Sequence, residues 1–129
     1  MKCILDASAV IAFFRAENGG DVVRKLLYAS PCCIHSVNWI ELYYKIHGYD
    51  GEQAADSAMA ILRRLGVSVT DITGEDFLRR VAKIKIAYPS LSLGDCHAVG
   101  LAEWLNGTVI TSDKRFSEAS PIVKVRQIR

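Results

Sequence analysis

The sequence predicts an α/β fold, a single parallel β-sheet with helices on both faces. Three observations carry that expectation. Short apolar or β-branched runs alternate with longer stretches of helical periodicity, the pattern of strand–helix units rather than of a bundle or meander. No repeat, linker, low-complexity tract or composition break divides the 129 residues, so one domain is expected over 1–129. With 50% of residues hydrophobic and 23% charged, the chain can bury a core without disulfides or structural metals.

The elements follow in order. Residues 2–6 (KCILD) form a short apolar run ending in Asp6, a candidate buried strand. Ser8 is a plausible N-cap for a helix over about 8–16, which Asn18-Gly19-Gly20 ends. Val22, Val23, Leu26 and Leu27 give a helix over about 20–30, stopped by Pro31, and CCIHS supplies a second strand near 32–36. Helices over about 37–47 and 51–65 are expected on either side of Gly48-Tyr49-Asp50-Gly51. Gly66 closes the second of these, and VSVTDI (67–72) is a β-branched third strand. Thr73-Gly74-Glu75-Asp76 reads as a capping box for a helix reaching Ala87, and Ser92-Leu93-Gly94-Asp95 as another for a helix reaching Leu105. Asn106-Gly107 stops that helix, TVITS (108–112) is a fourth strand, a short helix follows near 114–119, and IVKVRQI is a fifth strand.

Charge and cysteine usage exclude several classes. The net charge of +2 is too small to mark a nucleic-acid binder by charge alone, although Lys114 and Arg115, next to Asp113, could touch backbone phosphates. Cys3, Cys32, Cys33 and Cys96 show no C-x-x-C spacing and read as buried thiols of a reducing compartment. Neither a signal peptide nor an apolar run near the roughly 20 residues of a membrane span is expected, so the reading is of a cytoplasmic protein without a membrane partner. Phosphate-loop, dinucleotide and serine-hydrolase-elbow motifs are all missing.

Four carboxylates are conspicuous against this background. Asp6, Asp95 and Asp113 stand at the ends or beginnings of apolar segments, and Glu41 lies inside the run VNWIELYY. A buried carboxylate is costly unless paired, hydrogen-bonded or bound to a cation. Each has a local explanation: Asp6 and Asp113 as turn acids, Asp95 as the capping partner of Ser92, Glu41 in a surface pair with Lys45. Together they point elsewhere. In open parallel sheets ligands bind outside the carboxyl ends of the strands, where Asp6 and Asp113 fall. With too few neighbouring cations in the sequence, the natural counter-charge is a divalent metal and the natural substrate a phosphate ester. Thr111 and Ser112 offer hydroxyls beside Asp113. His35, His47 and His97 are scattered, and a helical His97 would point away from Asp95. Trp39, Tyr43 and Tyr44 read as core or dimer contacts sooner than as base-stacking residues.

The strings ILDASAVIAFF, WIEL, LSLGDCHAVGLA and VITSDKRF, in this order and spacing, resemble the PIN domain and, within it, the compact VapC-type toxins of bacterial toxin–antitoxin pairs. The resemblance covers nearly the whole chain. It implies a three-layer α/β/α sandwich around a five-stranded, mainly parallel sheet, and a metal-dependent endoribonuclease with RNA as substrate. Asp6, Glu41, Asp95 and Asp113 would hold Mg²⁺ or Mn²⁺, and Thr111 matches the family's hydroxyl residue two before the last acid. A homodimer and a cognate antitoxin that blocks the site are also implied. Gly100 departs from the family's usual Ala and could loosen its helix slightly. Cys96-His97 is not a usual pair after the acid. Two rivals remain: a PIN-like binding module acting through an antitoxin in a DNA-bound repressor complex, and a receiver-like phosphoacceptor domain. The latter wants two adjacent acids after its first strand, where Asp6 stands alone.

Overall fold

The computed structural model describes residues 1–129. Five strands, β1 (Cys3–Leu5), β2 (Cys32–His35), β3 (Ser68–Thr70), β4 (Thr108–Thr111) and β5 (Lys124–Gln127), form one sheet in the order β3-β2-β1-β4-β5. Every neighbouring pair is parallel, so the expected mainly parallel sheet is wholly so. Six α-helices cover it: α1 (Ala7–Phe14), α2 (Gly20–Ala29), α3 (Ser36–Asp50), α4 (Glu52–Arg64), α5 (Glu75–Ala87) and α6 (Leu93–Leu105). A 3-10 turn over Lys114–Ala119 joins β4 to β5.

The alternation of side chains along the central strands explains the three layers. Cys3, Leu5, Cys32, Ile34 and Ile110 point to one face, where α1 to α4 supply Val10, Val23, Leu42 and Met59. Ile4, Cys33 and Val109 point to the other, against Phe77, Val81 and Ile84 of α5 and Val99 of α6. Both faces are covered, as a parallel sheet requires, and Cys32 and Cys33 enter opposite cores as a strand dictates. All four cysteines are buried and unpaired.

Three local expectations are corrected. The helix after β1 begins at Ala7 with Asp6 in the capping position, so Ser8 lies inside the first turn and is no N-cap. The helix after β3 takes Gly74 as its cap with no side-chain cap bond, leaving Thr73 outside and the proposed box unmade; Glu75 and Asp76 still favour the helix start electrostatically. The break expected across residues 48–51 is confined to Gly51, whose φ of 94° suits a residue without a β-carbon, and α3 runs on to Asp50.

Gly100 has a packing role. A β-carbon there would lie 3.1 Å from Val81 Cγ2 and 3.5 Å from Phe77 Cε2, so glycine lets α6 approach α5 closely. The fourth strand lies beside the first, across from the second. The order in which strands are added therefore reverses at β1, and the crevice between the carboxyl ends of β1 and β4 is the switch point of the sheet.

Candidate functional site

All four acids gather at this crevice. Asp6 follows β1 directly, Asp113 follows β4 by two residues, Asp95 is in the first turn of α6, and Glu41 is on the second turn of α3. Asp6 is 2% exposed and Asp95 5% exposed. The side chains of Glu41 and Asp113 are 21% and 23% exposed. The buried pair thus forms the floor and the other two the rim.

Asp6 occupies a helix-capping position without capping. Its Oδ2 instead accepts hydrogen bonds from Ser8 Oγ at 2.6 Å and Thr111 Oγ1 at 2.8 Å. Burial pushes its carboxyl up to about 6, the two hydroxyls oppose that rise, and the charges of Asp95 and Glu41 add to it. Thr111 Oγ1 in turn accepts the backbone N–H of Asp113 at 2.9 Å, so one hydroxyl ties the two strand-end acids together. Ser8 Oγ also accepts the N–H of Ser112 at 3.1 Å.

Asp95 forms the expected capping box: Ser92 N–H donates to its Oδ2 at 2.9 Å, and Asp95 N–H to Ser92 Oγ at 3.1 Å. The hydrogen bonds accepted by Asp6 and Asp95 all fall on Oδ2, leaving each Oδ1 without a donor from the chain. Glu41 approaches the same turn: a β-carbon on Gly94 would lie 3.6 Å from Glu41 Oε2. Its anticipated pair with Lys45 is a loose 3.9 Å contact.

Asp113 is bound to Arg115. The guanidinium Nε lies 3.1 Å from both carboxylate oxygens and Nη2 is 2.5 Å from Oδ2. This pairing holds the Asp113 carboxyl below its ordinary range against the opposing effect of burial. The same Nη2 is 3.6 Å from Asp95 Oδ2, so one cation spans two of the acids. Lys114 does not face the site and donates to the Arg129 carbonyl.

Two positioning residues escaped the sequence reading. Asn38, fully buried one turn before Glu41, donates from Nδ2 to the Gly94 carbonyl at 2.9 Å, tying α3 to the start of α6. Its Oδ1 has no partner. A polar amide inside an apolar run three residues before the acid was the available signal. His35 accepts the Val37 N–H on Nδ1 at 3.1 Å, placing its proton on Nε2, 3.1 Å from the Ile72 carbonyl. Burial holds this imidazole below its ordinary value, so it caps α3 as a neutral ring. His97 hydrogen-bonds the Leu93 carbonyl and takes no part among the acids. Trp39 and Tyr43 stack on one another and pack against the core, while Tyr44 is exposed.

No group of three or more His, Cys, Asp or Glu side chains is set closely enough to hold a metal ion as it stands. Mutual repulsion among four carboxylates and the pull of Arg115 on Asp113 oppose such closure. The donor chemistry nevertheless fits a hard divalent cation: the acids are oxygen-only donors with two free carboxylate oxygens at the floor. A concavity of about 580 Å³ lies away from the acids, beside Asn106, Gly107 and Lys124, at the amino ends of β4 and β5.

A parallel α/β/α sandwich with an acid-lined crevice at its switch point defines the class of protein. The profile of the PIN domain family matches residues 3–120, and the chain belongs to that family. Among solved structures it is similar to VapC20 of Mycobacterium tuberculosis, described as a sarcin-ricin loop cleaving toxin, at 18% identity and a TM-score of 0.77, covering 96% of this chain and 98% of that one. VapBC2 of Rickettsia felis bound to a promoter DNA fragment gives 15% identity and a TM-score of 0.76, covering 98% of each chain. A toxin–antitoxin complex of Klebsiella pneumoniae gives 19% identity and 0.75, again over 98% of each chain. At such identities the likeness bears on the fold. A comparison with curated proteins returns no match.

Proposed function

We propose that the chain is a VapC-type toxin, an endoribonuclease that hydrolyses RNA phosphodiester bonds with Mg²⁺, or Mn²⁺ in its place. The observation that carries this reading is the gathering of Asp6, Glu41, Asp95 and Asp113 at the switch point, with oxygen donors free on the buried pair. These four residues would hold the ion. When bound, Mg²⁺ supplies Lewis acidity, acidifying a water and neutralising charge that builds on the scissile phosphate. Thr111 and Ser8 hold the Asp6 carboxylate through its Oδ2, leaving Oδ1 without a donor from the chain. Asn38 and the Ser92 capping box hold α3 and the start of α6 together, fixing where Glu41 and Asp95 present their oxygens.

The partners in this reading are RNA, a cognate antitoxin and a second copy of the chain. The antitoxin is supported by similar structures of toxin–antitoxin complexes from Rickettsia felis, Haemophilus influenzae and Salmonella typhimurium. Four unpaired cysteines fit the cytoplasm, and no helix is long and apolar enough to cross a membrane. Two of those complexes are DNA-bound, which favours a second reading as a binding module within a repressor.

Cleavage of RNA by the purified protein, with and without EDTA and beside Asp6→Asn, tests the proposal. Full activity in EDTA overturns it. Growth arrest on expression that Asp6→Asn relieves favours the enzyme over the module, and sequencing the RNA ends formed after brief induction identifies the substrate.

A further inference from the structure

Arg115 is the one basic side chain that reaches two of the four acids. It sits in the turn after β4, where its own N–H donates to Asp113 Oδ1 at 2.9 Å, folding the side chain back over the crevice. The guanidinium then spans Asp113, at 2.5 Å, and Asp95, at 3.6 Å. A third contact runs from Nη1 to the Ser90 carbonyl at 3.3 Å. The other cation nearby, Lys45, contacts Glu41 at 3.9 Å and reaches Asp113 only through its field. The side chain of Arg115 is 54% exposed, so it can leave these contacts for water at small cost.

This geometry puts one monovalent cation on carboxylate oxygens that a divalent ion would need. We propose that Arg115 is an exchangeable counter-ion: it neutralises Asp113 and Asp95 in the metal-free chain, is displaced when the metal enters, and then grips an RNA phosphate beside the site. The proposal rests on the metal-dependent nuclease reading above and adds a residue and a sequence of events to it. Displacement leaves the guanidinium tethered a side chain's length from the acids, where a phosphate drawn to the ion comes within reach. Its planar fork matches two phosphate oxygens, which an ammonium cannot do. Lys114, the neighbouring alternative, is committed to the Arg129 carbonyl.

The test is a pair of titrations on the purified chain, comparing wild type, R115Q and R115K, with K124Q as a charge control. Lys124 opens β5 at the amino ends of the strands, away from the crevice at their carboxyl ends. Mn²⁺ binding by calorimetry reads the exchange without any catalysis. R115Q is expected to bind Mn²⁺ about fivefold tighter, the size of a strong surface pair removed, while K124Q stays within about twofold. Binding of a fluorescent single-stranded RNA, with Ca²⁺ in place of Mg²⁺, reads the phosphate grip. R115Q is expected to lose about fivefold in affinity and about 0.7 in the slope of log affinity against log salt, and R115K to recover the slope but not the full affinity.

R115Q binding Mn²⁺ no tighter than wild type overturns the counter-ion role. Unchanged RNA affinity and salt slope in R115Q overturn the phosphate role. Failure of the wild type to bind Mn²⁺ at all sinks the metal reading itself together with this one. Tighter Mn²⁺ binding by R115Q in a chain that cleaves no RNA leaves the exchange standing and refutes the nuclease.

Discussion

Asp6 and Asp113 stand at the ends of neighbouring parallel strands and share one hydroxyl, yet their surroundings treat negative charge in opposite ways. Asp6 is buried, has only hydroxyl partners and carries a carboxyl pushed up to about 6. Asp113 is on the rim, holds an arginine and has its carboxyl pushed down. One charge is imposed by the fold at a cost; the other is paired by a side chain that can leave. Charge that the fold must hold without a resident partner is where an added cation gains most, so the deeper acid should matter more to function and less to stability.

Replacement of each acid by its amide breaks that comparison most directly. Asp6→Asn is expected to lower metal-dependent RNA cleavage by about 10³-fold or more, and Asp113→Asn by about 10- to 100-fold. Initial rates at saturating Mg²⁺ measure both, and equal losses would erase the distinction between floor and rim.

Stability runs the other way. An acid whose folded value is raised stabilises the fold fully below its unfolded value and loses that contribution as pH rises through the folded one. For Asp6 the window lies between about 4 and 6, with a loss on the order of 2–3 kcal/mol. In EDTA at neutral pH, Asp6→Asn should therefore be more stable than wild type by up to that amount. Urea melts at pH 4 and pH 7 check this, and a gain of the same size at both values would refute the titration. For Asp113 the sign reverses: its contribution is present above the ordinary carboxylate value and fades as pH falls through the lowered one.

Smaller effects sharpen the picture. Thr111→Val removes the hydroxyl that serves both acids and should cost about 1 kcal/mol while raising the Asp6 carboxyl further. Thr111→Ser should restore both, as thermal melts and carboxyl NMR titration would show. Asn38→Ala cuts the tie between α3 and α6; its already orphaned Oδ1 limits the loss to about 1 kcal/mol. Its activity should fall by no more than about tenfold, because Glu41 is displaced rather than removed.

Much of the architecture was legible because two periodicities are written into the chain. Alternation along CIL and CCIH sends side chains into two cores, and the Ser92–Asp95 and Asn106–Gly107 signals fixed both ends of α6. The errors came where a local signal had two users. Ser8 has the chemistry of a cap, but its hydroxyl is spent on Asp6 and Ser112, contacts whose distant member lies 104 residues away. Thr73 lost its cap to a one-residue shift, which no pattern in TGED distinguishes. The acids were legible as a set, since topology placed two and the family resemblance added two. The Arg115 span was not, because it depends on how a turn folds back toward Asp95, 20 residues earlier in the chain.

The hydrogen bond from Thr111 to Asp6 joins residues 105 apart in sequence. During synthesis, at roughly 5–20 residues per second, Asp6 waits many seconds for the strand that completes its surroundings. Until β4 slots in beside β1, the nascent chain has at Asp6 only the local hydroxyl of Ser8, without the Thr111 bridge to Asp113. On the nuclease reading proposed above, a chain assembled in this order would be armed only by its own last strands.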